Sequence, residues 1–307
     1  MHVAVTGGAG FIGSHLVAEL GRREYSVLVV DDFSRPATPR HVLEESGFEV
    51  VEVDILDTER LAAALRGVDA LVHLAALVDV RESEEEPLRY ARVNVLGTVS
   101  ALEAARRAGV GRVVYASSAA VYGEPLELPL REEHPLRPLS FYGSTKAMGE
   151  EACRYYSGRG LSCTALRFFN VYGELGRKNV VYIFLKRLLR GEPLIVYGDG
   201  GQTRDFIYVG DVASAVAAAL EAGGEGYAVY NVGSGREVSV NELIRVIAGV
   251  TGVEPRVAYR PARRGEIRRS YASVERLRGL GWEPHTTLEE GVERVYRWIA
   301  GGEPPVL

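Results

Sequence analysis

Residues 6–13, Thr-Gly-Gly-Ala-Gly-Phe-Ile-Gly, restrict the fold of this chain more than any other stretch. An apolar run at 3–6 precedes them and a helical pattern at 13–22 follows. Gly7 admits a tight turn, Gly10 lets the backbone approach a bound pyrophosphate, and Gly13 lets helix and strand pack closely. The free N–H groups of a helix start, with the positive end of its dipole, favour such an anion. A glycine triplet alone is weak evidence. Its place in the first strand-to-helix connection makes it a dinucleotide turn rather than a bare loop.

The first half of the chain goes on alternating. Strands are predicted at 27–30, 50–53, 70–74, 112–116 and 162–167, and helices at 58–65, 87–108 and 142–157. Strands separated by helix-length segments need crossover connections, hence a parallel sheet covered on both faces. The expected class is α/β: a Rossmann-type doubly wound parallel sheet over residues 1–169, then a smaller C-terminal α+β substrate-binding domain over 170–307. A helix at 209–221 and a strand at 230–232 leave open that about 209–233 rejoins the first domain. Further helices are expected at 239–251, with Ser239 as N-cap, and at 288–300.

With 307 residues, 47% of them hydrophobic, the chain can bury a large core. A net charge of -5 gives no support to a nucleic-acid partner, which needs a basic face. The histidines form no cluster, and Cys153 and Cys163 are too few for a usual zinc site, so no metal is expected. The two thiols either pack or form one bridge. No apolar run reaches membrane-spanning length, and no charged-then-apolar leader precedes the first strand. A soluble, cytoplasmic protein with no membrane partner is expected.

Asp31 ends the second strand, where a carboxylate accepts ribose hydroxyls and repels a 2′-phosphate, favouring NAD over NADP. Arg35 nearby pulls the other way by offering a charge to a phosphate. Asp54, with Ile55 at the end of the third strand, either takes the adenine amino group or forms a turn. Tyr142-Gly-Ser-Thr-Lys146 opens a helix, so phenol and ammonium share one face. Bringing a tyrosine from about 10 to about 7 needs roughly 4 kcal/mol of preferential anion stabilisation. A neighbouring Lys⁺ and the positive ring of bound NAD⁺ are the available sources. The spacing alone is not specific, because Tyr182-Ile-Phe-Leu-Lys186 repeats it. Context separates the two: Tyr142 follows Ser117-Ser118 at the carboxyl end of the fifth strand, where ligands bind in open α/β sheets. Tyr182 lies in an amphipathic run and reads as a packing residue.

The set TGGAGFIGSH (6–15), HLAA (73–76), SSAAVYG (117–123), YGSTK (142–146) and RFFNVYG (167–173) resembles the extended short-chain dehydrogenase/reductase family. GDGGQTRDFIYVGDVA (198–213) and RRGE (263–266) extend the resemblance over nearly the whole chain, and the nearest subgroup is the UDP-galactose (UDP-glucose) 4-epimerases. The resemblance implies Tyr142 as the base at O4 of a UDP-sugar and Ser118 as its hydrogen-bonding partner. Lys146 would hold the nicotinamide ribose and depress the phenol. It implies NAD held by Gly7, Gly10, Phe11, Ile12, Gly13, Asp31, Asp32, Phe33, Ser34, Asp54, Ile55, Leu74, Ala75, Ala76, Asn94, Tyr142, Lys146 and Phe169. It implies the sugar nucleotide held by Ser118, Tyr142, Asn170, Asn179, Tyr197, Arg204, Arg263 and Glu266. Many relatives carry Pro where this chain has Phe141, which implies only a local backbone difference. Related dehydratases carry an acid beside the serine, whereas Ala119 and Ala120 stand here, which points to epimerisation. Small Ser270, in the segment that gates the sugar C2 group, implies that N-acetylhexosamines fit; UDP-uronates are a further alternative. Helices 87–108 and 142–157 resemble a homodimer's four-helix bundle, although their apolar faces could equally be core.

Overall fold

Strand alternates with helix through the first half because short apolar runs are separated by longer, mostly amphipathic segments. The computed structural model describes residues 1–262, 267–303 and 306–307. Strand β1 (His2–Thr6) passes through the glycine turn into α1 (Phe11–Arg22). Next come β2 (Ser26–Asp31), α2 (Arg40–Glu45), β3 (Glu49–Glu52), α3 (Thr58–Ala64) and β4 (Ala70–His73). After α4 (Val80–Glu85) and α5 (Pro87–Tyr90), a π-helical turn (Ala91–Leu96) runs into α6 (Gly97–Ala108). β5 (Arg112–Ser118), α7 (Phe141–Ser157) and β6 (Ser162–Phe168) complete this half.

The second half has shorter strands: β7 (Asn170–Tyr172), then α8 (Val180–Leu189), β8 (Leu194–Tyr197), β9 (Thr203–Arg204) and β10 (Phe206–Tyr208). It continues with α9 (Val209–Ala222), β11 (Tyr227–Val232), β12 (Val238–Ser239), α10 (Val240–Thr251), β13 (Val257–Arg260), α11 (Glu275–Arg278) and α12 (Leu288–Ala300).

Among the described residues, seven strands join one sheet in the order β11-β6-β5-β4-β1-β2-β3, every neighbour parallel. Successive side chains of a strand point to opposite faces, and the core divides accordingly. Val3, Val5, Val27, Val29, Val114 and Ala116 pack on one side, against α1 and α9. Ala4, Leu28, Val30, Val113 and Tyr115 pack on the other, against α3, α6 and α7. Thus α9 and β11 lie with the first half although they follow β7 to β10 in sequence. A third cluster joins α8, α10 and α12 around Phe184, Ile247, Val292 and Trp298.

The helix predicted over 87–108 is not a single regular one. Its middle widens into the π turn, where the buried Asn94 side chain turns away to bond Leu77, and Thr98 Oγ1 donates to the Asn94 carbonyl at 2.6 Å. Such bulges break the i→i−4 ladder and are common at functional sites.

Candidate active site

The carboxyl edge of the sheet carries two helix starts with opposite treatment. At α1, Gly10 is the N-cap; the first turn has no acidic residue, and no side chain among the described residues caps it. Its first N–H groups, those of Phe11, Ile12 and Gly13, are therefore available to an anion. Gly7 has φ +71°, and a Cβ there would sit 2.7 Å from the Ala75 nitrogen. A Cβ on Gly13 would sit 2.1 Å from the Gly7 carbonyl, so the close helix–strand contact requires glycine. On Gly10 a Cβ would meet only the Gly7 oxygen, at 3.1 Å. This cradle fits a pyrophosphate.

Asp31 stands beside it. Its carboxylate accepts the Ala9 N–H at 3.1 Å and the Phe33 N–H at 2.9 Å, which ties the end of β2 to the glycine turn. Burial pushes this carboxyl up, against those backbone bonds. Asp32 accepts the Ser34 N–H and hydroxyl. Asp54 accepts the Leu56 N–H at 2.9 Å, an Asx turn, so the turn-forming alternative describes its observed bonding. Ile55 packs against Gly97, and its carbonyl takes the Ser100 hydroxyl. Leu74 donates to the Thr6 carbonyl, Ala75 lies against Gly7 with Ala76 next in the chain, and Phe169 donates to Val232. Asn94 reaches Thr145 in α7 at 3.1 Å, linking the π turn to the Tyr142 helix.

The α7 start is saturated. Ser140 is its N-cap and accepts the Gly143 N–H at 3.0 Å. Ser83, in α4, accepts the Tyr142 N–H at 3.1 Å, and Glu84 accepts the Phe141 N–H at 2.7 Å. Phe141 is therefore more than a local backbone difference, because a proline there would lack the N–H that Glu84 takes. With its backbone held, Tyr142 keeps its side chain buried at this edge of the sheet. Burial pushes its phenol up, and the nearby Ser118 hydroxyl opposes the shift. Lys146, one turn on, is 3% exposed; its ammonium donates to the Ala116 carbonyl at 2.9 Å and lies 6.0 Å from the Tyr142 ring centroid. Burial pushes it down to about 8. Gly149 keeps α7 tight on β5, since a Cβ there would meet the Tyr115 hydroxyl at 2.1 Å.

Beneath this pair runs a buried network that sequence reasoning missed. Arg167 grips Glu150 at 2.7 and 2.9 Å, Ser117 donates to Glu150 at 2.5 Å, and Arg167 reaches the Tyr122 hydroxyl at 2.8 Å. Tyr122 donates on to Asn231 at 2.6 Å. The network joins α7, β5, β6 and β11 through Ser117, the residue before Ser118. One signal was available: Glu150 stands four residues after Lys146, on the same helix face.

The rival pair is occupied elsewhere. Tyr182 and Lys186 both donate to Glu303, at 2.9 and 2.6 Å, and Tyr182 packs near Trp298.

On the second-half side, Asn170 donates its N–H to the Asp205 carbonyl, and Arg204 donates to the carbonyls of Thr203 and Ile267. Asp205, also missed, is a buried hub taking N–H groups of Ser234, Gly235 and Ala272 and the Ser234 hydroxyl. These bonds gather Asn170, Arg204 and the segment holding buried Ser270 into one place. Asn179 caps α8, accepting the Tyr182 N–H and donating to Gly176, a role signalled by its place before an apolar run. Tyr197 ends β8, its carbonyl taking the Gln202 amide. Arg263 and Glu266 lie outside the described residues.

A doubly wound sheet with a bare glycine turn and a Ser-Tyr-Lys set at its carboxyl edge defines the short-chain dehydrogenase/reductase class. Residues 3–233 match the NAD dependent epimerase/dehydratase family, and the chain belongs to it. It is 40% identical to the UDP-glucose 4-epimerase of Mycolicibacterium smegmatis over 310 residues, 97% of this chain and 98% of that one. It superposes with a TM-score of 0.90 on the UDP-glucose 4-epimerase of Thermus thermophilus, solved with NAD, at 37% identity and covering 98% and 100% of the two chains. The UDP-glucuronic acid 4-epimerase of Bacillus cereus, solved with UDP-glucuronic acid and NAD, gives 0.90 at 31% identity, covering 98% and 99%.

Proposed function

We propose that this chain is an NAD-dependent 4-epimerase of a UDP-hexose, interconverting UDP-galactose and UDP-glucose. One arrangement carries the reading: a buried Tyr142 shares a helix face with Lys146, at the same sheet edge as Ser118 and a bare, anion-fitting glycine turn. NAD, when bound, would supply the acceptor and donor of the hydride at C4 of the sugar. The glycine turn and the N–H groups of Phe11, Ile12 and Gly13 hold its pyrophosphate, and Asp31 its adenosine ribose. Tyr142 removes the O4 proton and gives it back, Ser118 steadies O4, and the Lys146 charge lowers the cost of the phenolate. The sugar passes through a 4-keto form and turns over before the hydrogen returns. Asn170, Tyr197 and Arg204, with Arg263 and Glu266, orient the nucleotide diphosphate. Asn179 caps α8, so its part in holding phosphate runs through the N–H groups at that helix start.

Water elimination would need an acid and a base beside Ser118, where the side chains are the methyls of Ala119 and Ala120. A second substrate reading, UDP-N-acetylhexosamine, is favoured by the small, buried Ser270. Purified protein incubated with UDP-hexoses, UDP-N-acetylhexosamines and UDP-uronates, with C4 configuration read by NMR, tests both. Tyr142→Phe should lower turnover by roughly 10²–10⁴-fold with the fold intact; unaltered epimerisation would refute the mechanism.

We also propose a cytoplasmic homodimer. No helix among the described residues is long and apolar enough to cross a membrane. Leu96, Met148 and Tyr155 are exposed on the π turn and α7, which supports pairing of these helices between two copies. The division proposed is at 169/170, with 209–233 serving the first domain. Light scattering of wild type and Met148→Glu tests the dimer.

A further inference from the structure

The sheet order places β1 between β2 and β4. The segments leaving β2 and β4 therefore form two walls above the glycine turn. Neighbouring strands lie about 4.8 Å apart, so the walls start roughly 10 Å from each other. One ion pair spans them. Arg35, four residues beyond β2, reaches Glu82 in α4, beyond β4, through two bonds of 2.8 and 3.2 Å. Fork-to-carboxylate pairing of this kind fixes geometry as well as charge.

Both ends are anchored. Glu82 also accepts the Tyr90 hydroxyl at 3.0 Å and the Arg89 guanidinium at 3.1 Å, and buried Tyr90 in turn accepts the Asp79 N–H. These partners, Arg35 first, hold the Glu82 carboxyl down at about 2, so it stays charged at any working pH. On the other wall, the loop carrying Arg35 returns to the glycine turn, where Ala37 and Thr38 donate to the Ala9 carbonyl at 2.7 and 3.0 Å. The pair thus crosses the mouth of the crevice whose floor is the pyrophosphate cradle.

We infer that Arg35 and Glu82 form a clasp across the dinucleotide crevice, closing over the bound cofactor and slowing its release. The inference rests on the reading that NAD lies along this cradle. It gives the pair a purpose in that chemistry: an enzyme that restores its cofactor in every cycle gains nothing by releasing it. The clasp acts through its partner across the gap, so Arg35 and Glu82 are positioning residues, not catalytic ones.

The experiment is a double-mutant cycle read on cofactor release, not on turnover. Wild type, Arg35→Gln, Glu82→Gln and the double variant are loaded with radiolabelled NAD. Release is followed after dilution into excess unlabelled NAD, with circular dichroism checking each fold. Each single variant should release label about three- to fivefold faster than wild type, the scale of a partly exposed ion pair. The double variant should be no faster than either single one. Raising salt to about 0.5 M should speed wild type and leave the variants nearly unmoved, because the screening length falls to roughly 4 Å. Arg106→Gln, which removes an exposed ion pair with Glu103 outside the clasp, should match wild type. Additive effects in the double variant would overturn the clasp, as would an effect of Arg35→Gln with none of Glu82→Gln, which would mean that Arg35 acts on the phosphates directly. Equal release from all four proteins would also overturn it while leaving NAD binding standing. Failure of every protein to take up label would instead remove the functional reading on which it rests.

Discussion

Replacing Lys146 with methionine should make the cofactor-free protein more stable and inactive. The ammonium is almost wholly buried, and burial brings its titration from an ordinary 10.5 down to about 8. Each unit is worth about 1.4 kcal/mol, so the folded state bears a cost of about 3 kcal/mol while the group is charged in both states. Methionine has similar length and no charge, but it forfeits the bond to the Ala116 carbonyl, worth about 1 kcal/mol. A net gain of about 2 kcal/mol at pH 7 follows. The pH dependence has a definite sign. Between about 8 and 10.5 the unfolded chain still holds the proton that the folded chain has shed, so wild-type stability rises with pH across that window. Below it the full cost applies, and above it the cost is gone. Urea unfolding of both proteins at pH 7 and near pH 10 cancels the groups they share. The variant's advantage should be clear at pH 7 and should shrink or reverse at the higher value. Equal stability at pH 7, or an advantage that does not change between the two values, would refute the reasoning.

Gly10→Asp places a capping carboxylate where the backbone is already extended, so it should add a few tenths of a kcal/mol to cofactor-free stability while abolishing NAD retention, measured by gel filtration and absorbance. Glu150→Ala leaves Arg167 buried without its carboxylate and should cost about 3–5 kcal/mol in urea unfolding, more than Glu150→Gln.

Local signals were the legible ones. Gly7, Gly10 and Gly13 report a turn whose steric demands are met within a few residues and by the adjoining strand. Ser239 before an apolar run reads as a cap because the bond it makes, to the Glu242 N–H, is three residues away. Tyr142 and Lys146 share a face because helix geometry says so. The remainder depends on long-range contacts. Nothing near Phe141 reveals that its N–H is taken by Glu84, 57 residues earlier in sequence. The α4 segment, Val-Arg-Glu-Ser-Glu-Glu, has too few apolar residues to show a period. β7, β9 and β10 are two or three residues long, below the length at which alternation can be seen. Asp205 looks like one more charged residue until four donors from two distant segments converge on it.

The contrast between the two helix starts explains how one cleft serves two tasks. A bare N-terminus attracts whatever anion is near, and at α1 that suits a pyrophosphate. The same bare end at α7 would compete for the phosphates of the substrate and draw them toward Tyr142. Ser140, Ser83 and Glu84 prevent this by taking the Gly143, Tyr142 and Phe141 N–H groups. They also hold the backbone of Tyr142, so the direction of its phenol depends on groups outside the proposed proton transfer. The acidic α4 does both jobs from one short helix: Ser83 and Glu84 face the Tyr142 helix, while Glu82 faces Arg35 on the cofactor side. On the proposed mechanism, a disturbance of α4 should therefore reach cofactor retention and proton transfer together. A disturbance of the Glu150–Arg167 network would reach α7, β5, β6 and β11, the elements it joins.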